Sequence, residues 1–181
     1  EYAGEVARVG GRVQGFATGD RVMGLLSGQG YAEFVSTPSR LAVHVPGTMS
    51  WEEAGATPEV YITAHDALLQ CALVAGEAVL VHAAGSGVGV AAIQIAKTLG
   101  ATPVLGTAGS DEKLARAKEI GLDVGINYHT QDFADETLAA TAGRGVDVVL
   151  DVIGADYWER NMRALAPKGR MVLVGLMGGA S

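Results

Sequence analysis

From Ala78 onward the chain alternates between short, almost wholly apolar runs and longer stretches of helical period. The runs 78–83, 102–107, 123–127, 146–152 and 170–174 predict strands; the stretches 87–99, 111–120, 131–142 and 155–165 predict helices. Val88, Ala91, Ala92, Ile95 and Leu99 share one face of the first helix; Trp158, Met162 and Leu165 share one face of the last. Gly100 and Gly121 stop helices, and Ser110 caps one. Strict alternation of this kind predicts an α/β fold, a doubly wound parallel sheet with right-handed crossovers.

The earlier part reads differently. Short alternating runs at 4–9, 21–25, 30–35 and 41–45, separated by glycine turns, predict four strands of a small β domain. The pattern then turns helical: Ser50 is an N-cap with Glu53 at the capping-box position, Pro58 interrupts, and a second helix is expected from Thr63 to Val74, ended by Gly76. The expected domains are 1–57 and 58–181.

The first strand of the alternating series runs into Ala84-Gly85-Ser86-Gly87-Val88-Gly89 and then a helix. A glycine turn at a helix N-terminus builds an anion site, because free backbone N–H groups and the positive end of the helix point at one spot. The spacing is GxGxG rather than GxGxxG; with Gly89 as the last glycine, Ala84 and Ser86 stand in the first two places. Read alone, the turn equally well just connects strand to helix; its place after the first strand of a parallel series favours dinucleotide binding.

Composition narrows this reading. The chain has 181 residues, 49% of them hydrophobic, and a net charge of −7, which argues against nucleic-acid or anionic-membrane partners. Its single cysteine, Cys71, excludes a disulfide framework and a cysteine-rich zinc module, and reads as a small buried hydrophobe. No apolar run is long enough to span a bilayer, and a cytoplasmic location is expected. The chain opens on Glu1 within a predicted strand and closes after another, so both ends are expected to be cut from a longer protein.

The choice of dinucleotide rests on the end of the second strand. An NAD site places an acid there to hold the ribose 2′-OH. The stretch Val104–Ser110 has none; Ser110 and Lys113 instead offer a donor and a cation for a 2′-phosphate. NADPH is therefore the expected cofactor, although Lys113 alone also reads as a solvated helix lysine.

Glu1–Gly10, Gly19-Asp-Arg-Val22, Gly30–Val35, Ala83–Ala96, and the tail Asp151–Trp158 and Val174–Gly179 together resemble the medium-chain dehydrogenase/reductase superfamily. Within it, they resemble the zinc-free quinone oxidoreductase (zeta-crystallin-like) branch, whose turn has the Ala-x-x-Gly-x-Gly form. The resemblance implies part of a GroES-like catalytic domain followed by a Rossmann domain. It implies that Ala84, Gly85, Ser86, Gly87, Val88 and Gly89 take the pyrophosphate, and that Ser110, Lys113 and Tyr128 take the 2′-phosphate end. It further implies that Thr63, Ile153, Gly154, Val174, Gly175 and Leu176 line the nicotinamide pocket. A homodimer, formed through a sheet edge beyond Ser181, is also implied.

Zinc is expected to be absent. Met23–Glu33, where zinc relatives insert a cysteine-rich lobe, has no cysteine. Glu1 matches a catalytic-zinc residue of those relatives, but Glu59 stands where they carry a cysteine ligand, and His44, His65, His82 and His129 show no ligand spacing. Without a Lewis acid the substrate must already be electrophilic, so a quinone is expected and an enone or enoyl thioester is the alternative. A non-catalytic RNA-binding or crystallin-like role is the alternative of another class. No catalytic side chain is singled out.

Overall fold

The computed structural model describes residues 1–180. They form two compact units that divide between Ile62 and Thr63, inside a helix.

The first unit holds a three-stranded antiparallel sheet of β1 (Tyr2–Glu5), β2 (Arg21–Gly24) and β3 (Ala42–His44), in that order. Tyr2 pairs with Gly24, and Val22 with His44. Gly24 is required there, since a Cβ would sit 2.2 Å from the Leu41 carbonyl oxygen. Helix α1 (Trp51–Ala56) starts at the expected capping box: Ser50 Oγ accepts from Glu53 N–H at 3.1 Å, and Glu53 Oε2 accepts from Ser50 N–H at 2.8 Å.

Two expectations fail in this unit. No strand forms at 30–35, where Tyr31 and Phe34 are exposed. Alternation marks a half-buried sheet face, and no described strand pairs with this run. The strand expected at 4–9 lies instead at Tyr2–Glu5, because β2 offers it partners only as far as Glu5↔Arg21. Helix α2 (Pro58–Gln70) also starts earlier than expected, with Pro58 as its first residue rather than its interruption. It ends at Gln70, where Ala72 turns the chain at φ 46°.

The second unit alternates as the pattern demands. Its elements are β4 (Val79–Val81), α3 (Gly87–Thr98), β5 (Val104–Ala108), α4 (Asp111–Glu119), β6 (Val124–Asn127), α5 (Phe133–Ala140), β7 (Val146–Asp151), α6 (Trp158–Ala164) and β8 (Leu165–Leu173). The strands make a parallel sheet in the order β6-β5-β4-β7-β8. β4 and β5 are buried along their whole length, which is why they read as unbroken apolar runs. Leu80, Leu105, Ile126, Phe133, Val146 and Val149 meet in one fully buried cluster.

Three details depart from the pattern. β8 begins at Leu165, not 170: Leu165 pairs with Val146, then Ala166–Gly169 bulge out before Arg170 pairs with Val148. The turn-like Pro167-Lys168-Gly169 lies within the strand as that bulge. Trp158 and Met162 are exposed, and the buried face of α6 carries Asn161 and Ala164. In α3 the buried face is Ala91, Ala92, Ile93 and Ala96, with Leu99 turned outward.

Candidate functional site

The strand order reverses beside β4. The chain builds outward through β5 and β6, then returns to place β7 on β4's other side. Ligands of open parallel sheets bind at such a point, at the carboxyl ends of the strands. The glycine turn leaves β4 there. Ala83 turns it at φ 52°, and Ser86 N–H closes it by donating to Ala83 O at 2.8 Å. Ser86 then caps α3, its Oγ accepting from Gly89 N–H at 3.1 Å. The N–H groups of Gly87 and Val88 lie in the first turn, ahead of the first backbone bond, from Val90 to Ser86 O. Gly89 is buried against the turn, and a Cβ on it would meet Ala83 O at 2.3 Å and Ala84 Cα at 2.9 Å. This is the close helix–strand approach that a last glycine provides.

A cleft of about 470 Å³ opens beside the turn. Gly85, Ser86, Lys113, Tyr128 and Ile153 line it, as the sequence reading expected of cofactor residues. The volume lies in the range of small-ligand sites, roughly 300–1,000 Å³. The stem of Lys113 runs along the turn, within 3.1–3.3 Å of where a Gly85 Cβ would stand. Among the described residues, Lys113 enters no ion pair. Ser110 caps α4, accepting from Lys113 N–H at 3.4 Å, and its hydroxyl keeps its own proton to donate. Tyr128 stacks edge-on with His129 at 4.6 Å. Its hydroxyl would be 2.6 Å from a Cβ at Gly109, so Gly109 lets the ring close over the strand end.

The other expected residues fall outside the lining. Ala84 is buried beneath the turn, and Gly87, Val88 and Gly89 belong to α3. Gly154 sits at φ 88°, packed against Gly179 O and Leu176. Val174 donates to Asp151 O at 2.7 Å, Gly175 packs on Val152, and Leu176 is exposed. Thr63 lies within α2. The sequence reading missed Gly109, Asp156, Tyr157, Met177 and Gly178, which also line the cleft. Asp156 follows Ile153-Gly154 by two places, and that adjacency was its available signal. Burial raises the Tyr157 hydroxyl pKa above its ordinary value, partly offset by Arg160.

Beneath the cleft runs a buried polar chain that the sequence did not reveal. Asp151 Oδ1 accepts from Ile153 N–H at 2.7 Å, and Asp151 Oδ2 accepts from Asn161 Nδ2 at 3.0 Å. Asn161 Oδ1 must then accept from His82 Nε2, at 2.7 Å. This fixes the neutral tautomer, so His82 Nδ1 accepts from the Thr107 hydroxyl at 3.0 Å. All four side chains are fully buried. Phe133 and Tyr157 pack edge-on to the His82 ring, at 4.7 and 4.8 Å.

Burial lowers the His82 pKa to about 4 from its ordinary 6.5; Arg160 adds to this, while Asn161 and Asp151 oppose it. The unfolded chain therefore takes up a proton between pH 6.5 and 4 that the fold refuses, and stability falls as pH drops through that window. The expected loss is about 3 kcal/mol by the bottom of the window. Unfolding midpoints in denaturant at pH 7 and 4.5 measure it, and His82→Gln should flatten the slope. Glu77 and Asp147, held low by hydrogen bonds from Arg170 and Arg144, add an acid loss of the same sign at lower pH.

Glu1 and Glu59, the two acids at zinc-relative positions, are joined through the main chain: the backbone N–H of Glu59 donates to Glu1 Oε2 at 3.0 Å. Among the described residues, no group of three His, Cys, Asp or Glu side chains is placed to hold a metal. Cys71 is buried, which raises its thiol pKa. No helix among the described residues is long and apolar enough to cross a membrane.

A glycine turn at the switch point of a parallel sheet, opening on a cleft with a lysine that has no ion pair among the described residues, defines the Rossmann class of nucleotide-binding folds. The chain belongs to the zinc-binding dehydrogenase family, whose sequence pattern matches residues 87–181, and is a quinone oxidoreductase-like member of the medium-chain dehydrogenase/reductase superfamily. It is 47% identical over 124 residues to erythronolide synthase EryA2 of Saccharopolyspora erythraea, covering 68% of this chain and 3% of that one. The structure of the CurK enoyl reductase superposes with a TM-score of 0.89 and 40% identity, over 97% of this chain and 53% of that one. Escherichia coli quinone oxidoreductase complexed with NADPH superposes with a TM-score of 0.88 and 35% identity, over 98% and 55%. The chain thus spans about half the length of these enzymes of known structure and a small part of the synthase.

Proposed function

We propose that this chain carries the cofactor cleft of an NADPH-dependent oxidoreductase that reduces quinones without zinc. The observation that carries the reading is the Ala84–Gly89 turn at the switch point, with Lys113, which has no ion pair among the described residues, beside it and no acid at the end of β5. The turn and the α3 N-terminus hold the pyrophosphate. Ser110, Lys113 and Tyr128 hold the 2′-phosphate. Ile153, Gly154, Val174, Gly175, Leu176 and Thr63 face the nicotinamide, which supplies hydride when bound. The chain's own residues bind, orient and exclude water; after hydride transfer the quinone needs one further proton, which it takes from solvent. The domain boundary near 57/58, a GroES-like first domain, a homodimer and a cytoplasmic location belong to the same reading.

The test is NADPH oxidation with a simple benzoquinone. Turnover with NADPH far above NADH supports the reading; equal rates overturn it. Lys113→Ala is expected to weaken NADPH binding about tenfold, roughly the 1–2 kcal/mol of one charge-assisted phosphate contact, and to leave NADH binding within twofold. A second reading, reduction of an enone or enoyl thioester, is favoured by the likeness to the CurK enoyl reductase. Crotonyl thioester run beside the quinone separates the two.

A further inference from the structure

Helix α4 opens with two acids, Asp111 and Glu112, between Ser110 and Lys113. A carboxylate in that turn would oppose a 2′-phosphate, yet neither acid lines the cleft that Lys113 enters. Each is engaged elsewhere. Glu112 pairs with Arg116 on its own helix at 2.9 Å. Asp111 Oδ1 accepts from Asn127 Nδ2 at 2.9 Å.

Asn127 ends β6 and pairs with Ala108, at the end of β5. Its amide orientation is fixed from both sides. Oδ1 accepts from His129 N–H at 3.1 Å, which leaves only the Nδ2 donors to face Asp111. Its backbone N–H is held separately, by Gln131 Oε1 at 3.0 Å. Asn127 therefore works as a latch that fixes where the Asp111 carboxylate points.

We propose that Asn127 is a specificity-determining positioning residue. By holding Asp111 back it keeps the ribose 2′ end of the cleft free of carboxylate, so the site prefers a 2′-phosphorylated adenosine. Released, Asp111 stands one residue from Ser110, where an acid accepts the ribose 2′-OH and repels a phosphate. The inference rests on the NADPH reading above.

The test is calorimetric titration, at one fixed salt concentration, with adenosine 2′,5′-bisphosphate and with 5′-AMP, which probe the adenosine end alone. The unsubstituted protein should bind the bisphosphate at least tenfold tighter. Asn127→Ala should narrow that ratio about fivefold, and the N127A/D111N double variant should restore it. Asn127→Leu, branched at the same carbon but without the donor, should narrow it as the alanine does, and carries the test should the alanine variant fail to fold. An unchanged ratio in both single variants overturns the proposal. So does a ratio that D111N fails to restore, since the cause would then be the loosened Tyr128–His129 turn. No preference for the bisphosphate in the unsubstituted protein overturns the NADPH reading itself, and this proposal with it.

Discussion

Gly89→Ala is expected to destabilise the chain by about 3 kcal/mol and to abolish nucleotide binding. The new Cβ would stand 2.3 Å from Ala83 O and 2.9 Å from Ala84 Cα, both backbone atoms that no rotamer change can move. Helix α3 must back away from the turn, and its N–H groups leave the cleft with it. For a chain of this size the loss corresponds to a fall in Tm of roughly 10 °C. Gly85→Ala is the contrast. Its Cβ meets only the flexible Lys113 stem at 3.1–3.3 Å, so stability should hold within about 1 kcal/mol while the lysine is displaced and NADPH binding weakens. Thermal unfolding and nucleotide titration of both variants check the pair; equal stability losses would contradict the distinction.

Asn161→Ala is the second large effect. It leaves the His82 Nε2 proton without an acceptor and takes the Asn161 donor from Asp151, all within a fully buried site. The orphaned His82 donor costs about 1–3 kcal/mol and the bond lost from Asp151, which keeps its Ile153 donor, about 1 kcal/mol more, so a total of about 2–4 kcal/mol is expected. Asn161→Asp separates electrostatics from shape. Two carboxylates at hydrogen-bond distance cannot both ionise, so one holds a proton in the fold that it loses in the unfolded chain. That variant should lose stability as pH rises from 5 to 8, whereas the unsubstituted protein should not. Unfolding midpoints across that range decide it.

The legible parts of the fold were those whose pattern reports burial directly. β4, β5 and β7 are buried on both faces and read as apolar runs; Ser50 and Ser110 cap helices where their positions said they would. Taking Gly89 as the last glycine of the turn identified the residue that packs on Ala83. The illegible parts depended on partners far along the chain. The run 30–35 alternates but has no described strand to pair with. Periodicity placed Trp158 and Met162 on the packed face of α6, but the buried position there belongs to Asn161, whose partner His82 lies 79 residues away. A polar residue inside an apolar segment was the available signal, at His82 and at Asp151. The Asn127–Asp111 latch had no signal of its own, because an exposed acid in a first helical turn reads as ordinary capping.

The cleft beside Ala84–Gly89 is expected to take NADPH in preference to NADH. Titration of the protein with NADPH and NADH at one salt concentration, followed by nicotinamide fluorescence, tests it most directly. Saturable binding of one nucleotide per chain, with NADPH at least tenfold tighter and that advantage lost in Lys113→Ala, is the expected result. Binding of neither nucleotide, or equal affinity for both, would contradict it.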